Sequence, residues 1–269
     1  MEKLQSAVIR TAHDLWLKDW AERNAGNLSV HLRPGEIQED FRRDGPWRPL
    51  ETAIPELGGD HFLFTNTGSH MRLVELDLLR NTSVIELDEG GECFRVVRGD
   101  AKRSPTSELM PHLRVHTARR RVAENGDRAV IHTHPANLIA LTYALPLDTA
   151  SLTRLLWEMH TECIVVFPRG CGFVEWRLPG SEDLARTTER IMELRSLALW
   201  QYHGIVATGR NLDSAFGLIE TAEKAAEIYL KVAALGPVER RLDSEQLTAL
   251  ARRFGVEPDP EILAGGEPR

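Results

Sequence analysis

Apolar residues along this chain follow two rhythms. Leu4, Ala7, Val8, Ala12 and Leu15 recur at helical spacing, with Arg10, Asp14 and Lys18 on the opposite side, so the spacing predicts an amphipathic helix over 4–20. After Arg23-Asn24-Ala25-Gly26-Asn27 the period changes, and Leu28, Val30 and Leu32 alternate as a half-buried strand requires. Residues 33–60 keep neither period: Pro34, Pro46, Pro49, Pro55 and the Gly58-Gly59 pair mark a long surface loop. Strand-like runs follow at 62–65, 83–87 and 93–97, the last two joined by Asp88-Glu89-Gly90-Gly91 as a hairpin.

The second half mixes both periods. A helix is expected over 108–120, a strand over 130–134, a helix over 136–145, strands over 163–167 and 172–178, a long helix over 182–200 and a strand over 203–208. A cap at Asp213 or Ser214 opens a helix to Leu235, with Phe216, Ile219, Ala222, Ala226, Tyr229, Leu230 and Ala233 on one stripe. A second cap at Asp243 or Ser244 begins a final short helix carrying Leu247 and Leu250. With no repeat, low-complexity tract or linker in the way, residues 1–269 read as a single α/β domain. Its sheet is at least partly antiparallel, with helices on its faces.

Composition narrows the function classes. The 269 residues are 42% hydrophobic and 27% charged, enough for a sizeable core. With 33 basic against 40 acidic side chains, the formal charge of −7 argues against a nucleic-acid footprint or an anionic membrane surface, so an anionic ligand needs a local site. The first residues lack the apolar run of a signal peptide and nothing is long enough to span a bilayer, which predicts a soluble, cytoplasmic protein. Cys93, Cys163 and Cys171 are odd in number and lie beside strand-like runs, as reduced buried thiols do.

Candidate chemistry concentrates at Val130-Ile131-His132-Thr133-His134-Pro135. A strand throws alternate side chains onto one face, so His132 and His134 form a two-toothed metal clamp. A catalytic zinc holds three protein ligands and keeps one position open. His203, where a helical pattern gives way to Ile205-Val206-Ala207-Thr208, is the third candidate, and Glu108 supplies an acid or base. Three small-residue segments, Asn24-Ala25-Gly26-Asn27, Thr65-Asn66-Thr67-Gly68-Ser69 and Pro105-Thr106-Ser107-Glu108, have the composition of turns that cradle a phosphate with backbone N–H groups.

These residues, in this order, resemble the class II sugar-phosphate aldolases of the fuculose-phosphate aldolase family. The likeness extends over nearly the whole chain through Trp20-Ala21-Glu22-Arg23, Thr106-Ser107-Glu108-Leu109, Asn137-Leu138-Ile139-Ala140-Leu141-Thr142-Tyr143, Leu156-Trp157-Glu158, Thr161-Glu162-Cys163, Val165-Val166-Phe167-Pro168, Phe216-Gly217-Leu218-Ile219 and Thr221-Ala222-Glu223-Lys224. It implies a mostly antiparallel central sheet flanked by helices on both faces, and one Zn²⁺ per subunit on His132, His134 and His203. It further implies Glu108 as catalytic acid/base, Glu162 as a second acidic group, and Asn24, Gly26, Asn27, Thr67, Gly68, Thr106 and Ser107 around the substrate phosphate. The implied partners are a ketose 1-phosphate, dihydroxyacetone phosphate and a small aldehyde; the implied assembly is a homotetramer with active sites near subunit interfaces. Ala25, Asn66 and Thr67 depart from the family's glycine and serine pattern. A pentulose-5-phosphate 4-epimerase would use the same residues without releasing aldehyde, and a metal-free interaction module would use none of them.

Overall fold

The computed structural model describes residues 1–42, 44–122 and 126–265. Its centre is a nine-stranded sheet among those residues: β1 (Asn27–His31), β2 (Arg48–Pro49), β3 (His61–Thr65), β4 (Thr82–Leu87), β5 (Cys93–Arg98), β6 (Ala129–Thr133), β7 (Gly172–Val174), β8 (Leu197–Trp200) and β9 (Gly204–Gly209), in the order β2-β5-β4-β3-β1-β6-β9-β8-β7. Every pairing is antiparallel except β7 with β8. Interleaved are α1 (Glu2–Leu17), α2 (Leu78–Asn81), α3 (Leu109–Arg121), α4 (Ala136–Ala144), α5 (Thr149–Met159), α6 (Thr161–Val166), α7 (Glu182–Met192), α8 (Leu212–Ala233), α9 (Ser244–Phe254) and α10 (Pro260–Ala264). No described helix is long and apolar enough to cross a membrane.

Strand alternation divides the core in two. Leu28 and Val30 of β1, Ala129 and Ile131 of β6, and Ile205 and Ala207 of β9 face the layer built by α1, α4, α5 and α8. The intervening Phe62, Phe64, Val130 and Val206 face α3 and α7. Helices therefore cover both faces. Asn27, Ser29 and His132 alternate with that first apolar set and lie on the α3 side.

Four stretches differ from the sequence expectation. Of residues 163–167, expected as a strand, 163–166 belong to α6 and Phe167 is its C-cap; His160 caps the other end by accepting from the Glu162 N–H at 3.3 Å. Only Cys163 and Ile164 of that helix are buried, so its β-branched residues serve one-sided packing on α8 and α9 and add no strand. The long helix over 182–200 stops at Met192, and Leu197–Trp200 forms β8, buried at every position between β7 and β9. A short run apolar on both sides has no period to tell helix from strand. The expected surface loop at 33–60 instead contributes Phe41, Ile54 and Leu57 to the core and forms β2 along the sheet edge. The strand expected over 172–178 is confined to Gly172–Val174. Cys93, Cys163 and Cys171 are free thiols; Cys93 is only partly buried.

Candidate active site

Three imidazoles meet where β6 ends beside the starts of β1 and β9. His132 is held inside β6 opposite Asn27 of β1, and His134 follows one residue beyond the strand. His203 closes the short turn between β8 and β9, where Trp200 pairs with Gly204. Tyr202 in that turn takes the left-handed conformation at φ 62°, and its N–H donates to Thr142 Oγ1 at 3.1 Å. The reversal brings the His203 ring to 4.8 Å, centroid to centroid, from His132.

One nitrogen from each of the three rings lies within 4.8 Å of the others. The outer nitrogens define the tautomers of two. His132 Nδ1–H donates to the Ile205 carbonyl at 3.1 Å and His134 Nδ1–H to the Glu22 carboxylate at 2.9 Å. In the neutral form of both rings, the Nε2 atoms face each other as bare lone pairs 3.2 Å apart, which is repulsive without a cation between them. Two ligands about 2.0–2.1 Å from a tetrahedral zinc sit about 3.3 Å apart, so the donor set fits such an ion. Burial holds His132 far below the ordinary imidazole range and His203 down at about 4, with the neighbouring histidines adding to both. Uncharged rings are what a metal requires. Trp200 stacks on His132 at 4.5 Å and fixes its plane, its own indole N–H donating to Thr188 Oγ1 at 3.0 Å.

Glu108 stands beside this cluster as the N-cap residue of α3. Its Oε2 lies 3.4 Å from His132 Nε2 and its Oε1 3.6 Å from His203 Nε2. Burial raises the carboxyl above its usual range, against the lowering pull of an Asn27 hydrogen bond and of His134. The acid is thus poised to hold a proton more readily than a solvated glutamate.

The three small-residue segments are fastened into one rim next to Glu108. The Leu28 N–H donates to Thr65 Oγ1 at 3.1 Å, and the Thr106 N–H to the Thr65 carbonyl at 3.0 Å. Thr67 donates from its N–H to Ser104 O at 2.9 Å and from Oγ1 to Pro105 O at 2.7 Å. Gly26 and Gly68 both adopt φ 74°, which only glycine takes freely. Asn24, Thr67, Gly68 and Ser107 are exposed, while Gly26, Asn27 and Thr106 are buried. Asn27 is distinct: both polar atoms of its side chain are engaged, by Glu108 and by His112. Glu162 stands apart, exposed in the first turn of α6, and no described hydrogen bond or ion pair joins it to the cluster.

Sequence reasoning missed Glu22 behind His134, and the polar residues Ser29, His112 and His116 beneath Glu108. The latter had a signal. Glu108, His112 and His116 are spaced by four on one helix, opposite Asn27 and Ser29 on alternate positions of one strand. On the solvent side an open cavity of about 670 Å³ adjoins the histidines, walled by Glu22, Ile139, Tyr143 and Tyr202.

The mostly antiparallel sheet carries three convergent histidines and a buried carboxylate at a helix N-cap, and residues 6–230 match the profile of the class II aldolase and adducin N-terminal domain. The chain belongs to that family. It is 42% identical over 255 residues to rhamnulose-1-phosphate aldolase of Pectobacterium atrosepticum, covering 93% of each chain. It is 40% identical over 261 residues to rhamnulose-1-phosphate aldolase of Escherichia coli O139:H28, covering 96% of this chain and 95% of that one. Among solved structures it resembles a sugar-phosphate aldolase from Thermotoga maritima, with a TM-score of 0.77, 31% identity, and 88% of this chain and 97% of that chain covered. The chain is thus a class II aldolase, a metal-dependent lyase, and its three histidines form the candidate metal site.

Proposed function

We propose that this enzyme cleaves L-rhamnulose 1-phosphate reversibly into dihydroxyacetone phosphate and L-lactaldehyde, with a zinc ion on His132, His134 and His203. The observation that carries the reading is the buried Glu108 carboxylate, within 3.4 and 3.6 Å of two of those imidazoles. The relatives' names supply the substrate. When bound, the divalent cation supplies Lewis-acid stabilisation of the negative charge that develops on the ketose carbonyl oxygen.

The chain's own residues supply the rest. Glu108 removes the proton α to the carbonyl in condensation and returns it to that carbon in cleavage, which its raised proton affinity suits. Asn24, Gly26, Thr67, Gly68, Thr106 and Ser107 would hold the phosphate, with Asn27 acting from within the rim through Glu108. What supports this is the fastening of their three turns to one another beside the carboxylate. Anchoring the unreactive end lets remote binding energy position the carbon–carbon bond. We further propose a homotetramer acting in the cytoplasm.

The test is incubation with L-rhamnulose 1-phosphate, with and without chelator, following dihydroxyacetone phosphate and free aldehyde. Product should form only in the metal-loaded enzyme. Glu108→Gln should keep stoichiometric zinc while turnover falls by about two to four decades. His134→Ala should lose the metal. Full turnover in the first variant removes Glu108 from the mechanism, and full zinc in the second removes the ligand assignment.

A further inference from the structure

The seam between α3 and β1 is polar where a helix packed on a sheet is ordinarily apolar. Asn27 Nδ2 lies 2.9 Å from Glu108 Oε2, and Asn27 Oδ1 is hydrogen-bonded to His112 Nε2. His112 Nδ1 is 2.7 Å from Ser29 Oγ, which is 2.8 Å from His116 Nε2. All five residues are buried. Helix residues spaced by four thus interdigitate with strand residues spaced by two.

The direction of these bonds follows from what each group can do. A carboxylate only accepts, so Asn27 must turn its NH₂ toward Glu108 and its carbonyl toward His112. His112 therefore carries its proton on Nε2. Burial drives the pKa of this ring down to about 3, so it is neutral and its Nδ1 accepts. Ser29 then donates its O–H to His112, and its oxygen accepts from His116 Nε2–H. Every donor points the same way.

We propose that His112 is a positioning residue for Glu108, acting through Asn27, and that His116-Ser29-His112-Asn27 is a one-way chain of hydrogen bonds whose donors all aim at the carboxylate. The proposal rests on the reading of Glu108 as the acid/base. An amide does not pass a proton onward, so the chain sets orientation and does not conduct protons. It anchors Oε2; among the described residues no hydrogen bond reaches Oε1, which faces His203. Oε1 is accordingly the oxygen left to exchange a proton with substrate carbon. Without the His112 donor, the Asn27 amide is free to rotate and present its carbonyl to the carboxylate, replacing attraction by repulsion.

The experiment compares His112→Phe and His112→Gln with the zinc-loaded wild type. His112→Phe should keep stoichiometric zinc and KM but lose about 10- to 100-fold in kcat, as loss of a supporting partner does elsewhere. His112→Gln, which retains an N–H₂ donor for Asn27, should recover most of that loss. ¹⁵N spectra of the histidine-labelled wild type should show a protonated Nε2 and bare Nδ1 at His112. A wild-type kcat in His112→Phe, a joint fall of zinc, KM and kcat, or an Nδ1–H tautomer at His112 overturns the proposal. Glu108→Gln assayed alongside separates the two ideas: if it is fully active the acid/base reading fails and takes the catalytic role of His112 with it, whereas a wrong tautomer with Glu108→Gln inactive overturns the positioning chain alone.

Discussion

Gly204 sits where a methyl group has no room. A Cβ there would lie 2.5 Å from the Thr133 carbonyl, 2.8 Å from His134 Cδ2 and 3.0 Å from His132 Cε1. The first neighbour is strand backbone and the others are ligand rings, so relief must come from moving the rings. Gly204→Ala should therefore weaken zinc binding by about 10- to 100-fold, read by competition with a chelator; unchanged affinity would show that the rings have slack. Buried His112 has a separate effect on stability. Its folded pKa of about 3 lies below the ordinary 6.5, so between those values the unfolded chain binds a proton that the folded one refuses. Stability contributed by this residue is complete above 6.5 and falls as the pH drops, by about 2 kcal/mol at pH 5. Urea titrations at pH 7 and pH 5 should show that much less acid sensitivity in His112→Phe than in the wild type. Single residues were also where the sequence was most informative: His132, His134, His203 and Glu108 come together as their types and spacing suggest. The fastening of Asn27 was hidden, because a strand-end amide in a small-residue turn has the same local signature whether it meets a ligand or a buried carboxylate.

Among the helices, α4 depends on a residue from another element. Glu223 of α8 accepts from the Leu138 N–H at 2.9 Å, the Asn137 N–H at 3.1 Å and the Asn137 side chain at 2.7 Å, replacing the capping side chain that Pro135 cannot supply. Since α4 starts two residues after His134, this clamp also fixes the exit of the histidine strand. Glu223→Ala strands three donors and should cost about 2–3 kcal/mol in chemical denaturation. A change under about 0.5 kcal/mol would mean that water replaces the carboxylate without loss. Two of the elements that sequence misjudged were too short or too evenly buried to carry a period. α6 has only six residues, too few to write out a helical stripe, and β8 is buried at every position, so it shows no alternation. The opening helix and the capped helices α8 and α9 border solvent on one side, so their periods are legible, while the β4–β5 hairpin is marked by its Asp88-Glu89-Gly90-Gly91 turn.

For the whole molecule, the hairpin turn and the mixed periods recorded an at least partly antiparallel sheet with helices on its faces, while its antiparallel majority and its cover on both faces were what the family resemblance implied. Where the site opens, the surface is unusual for a free rim: Tyr143 is 71% and Tyr202 43% exposed, with ring centroids 4.5 Å apart at a tilt of 36°. They border the cavity that reaches His134 and His203. An aromatic pair at that position suits a neighbouring subunit, in keeping with the proposed homotetramer. Sedimentation should give four times the 30.3 kDa chain mass, and Tyr143→Lys should shift the particle toward smaller species; a monomer at micromolar concentration would end the tetramer proposal.

The seam between α3 and β1 works like a vernier scale. Four helical residues advance about 6.0 Å and two strand residues about 6.6–6.8 Å, so successive rungs drift out of step by about 0.6–0.8 Å. A hydrogen bond tolerates only about half an ångström of spread, which limits such a ladder to very few rungs. The bonds run from Glu108 to His116, and no described bond continues to His31, the next strand position on that side, although both rings border the same small cavity. The ladder holds for the four bonds between Glu108 and His116 and stops there, so a residue inserted anywhere between Glu108 and His112 would put the whole scale out of phase.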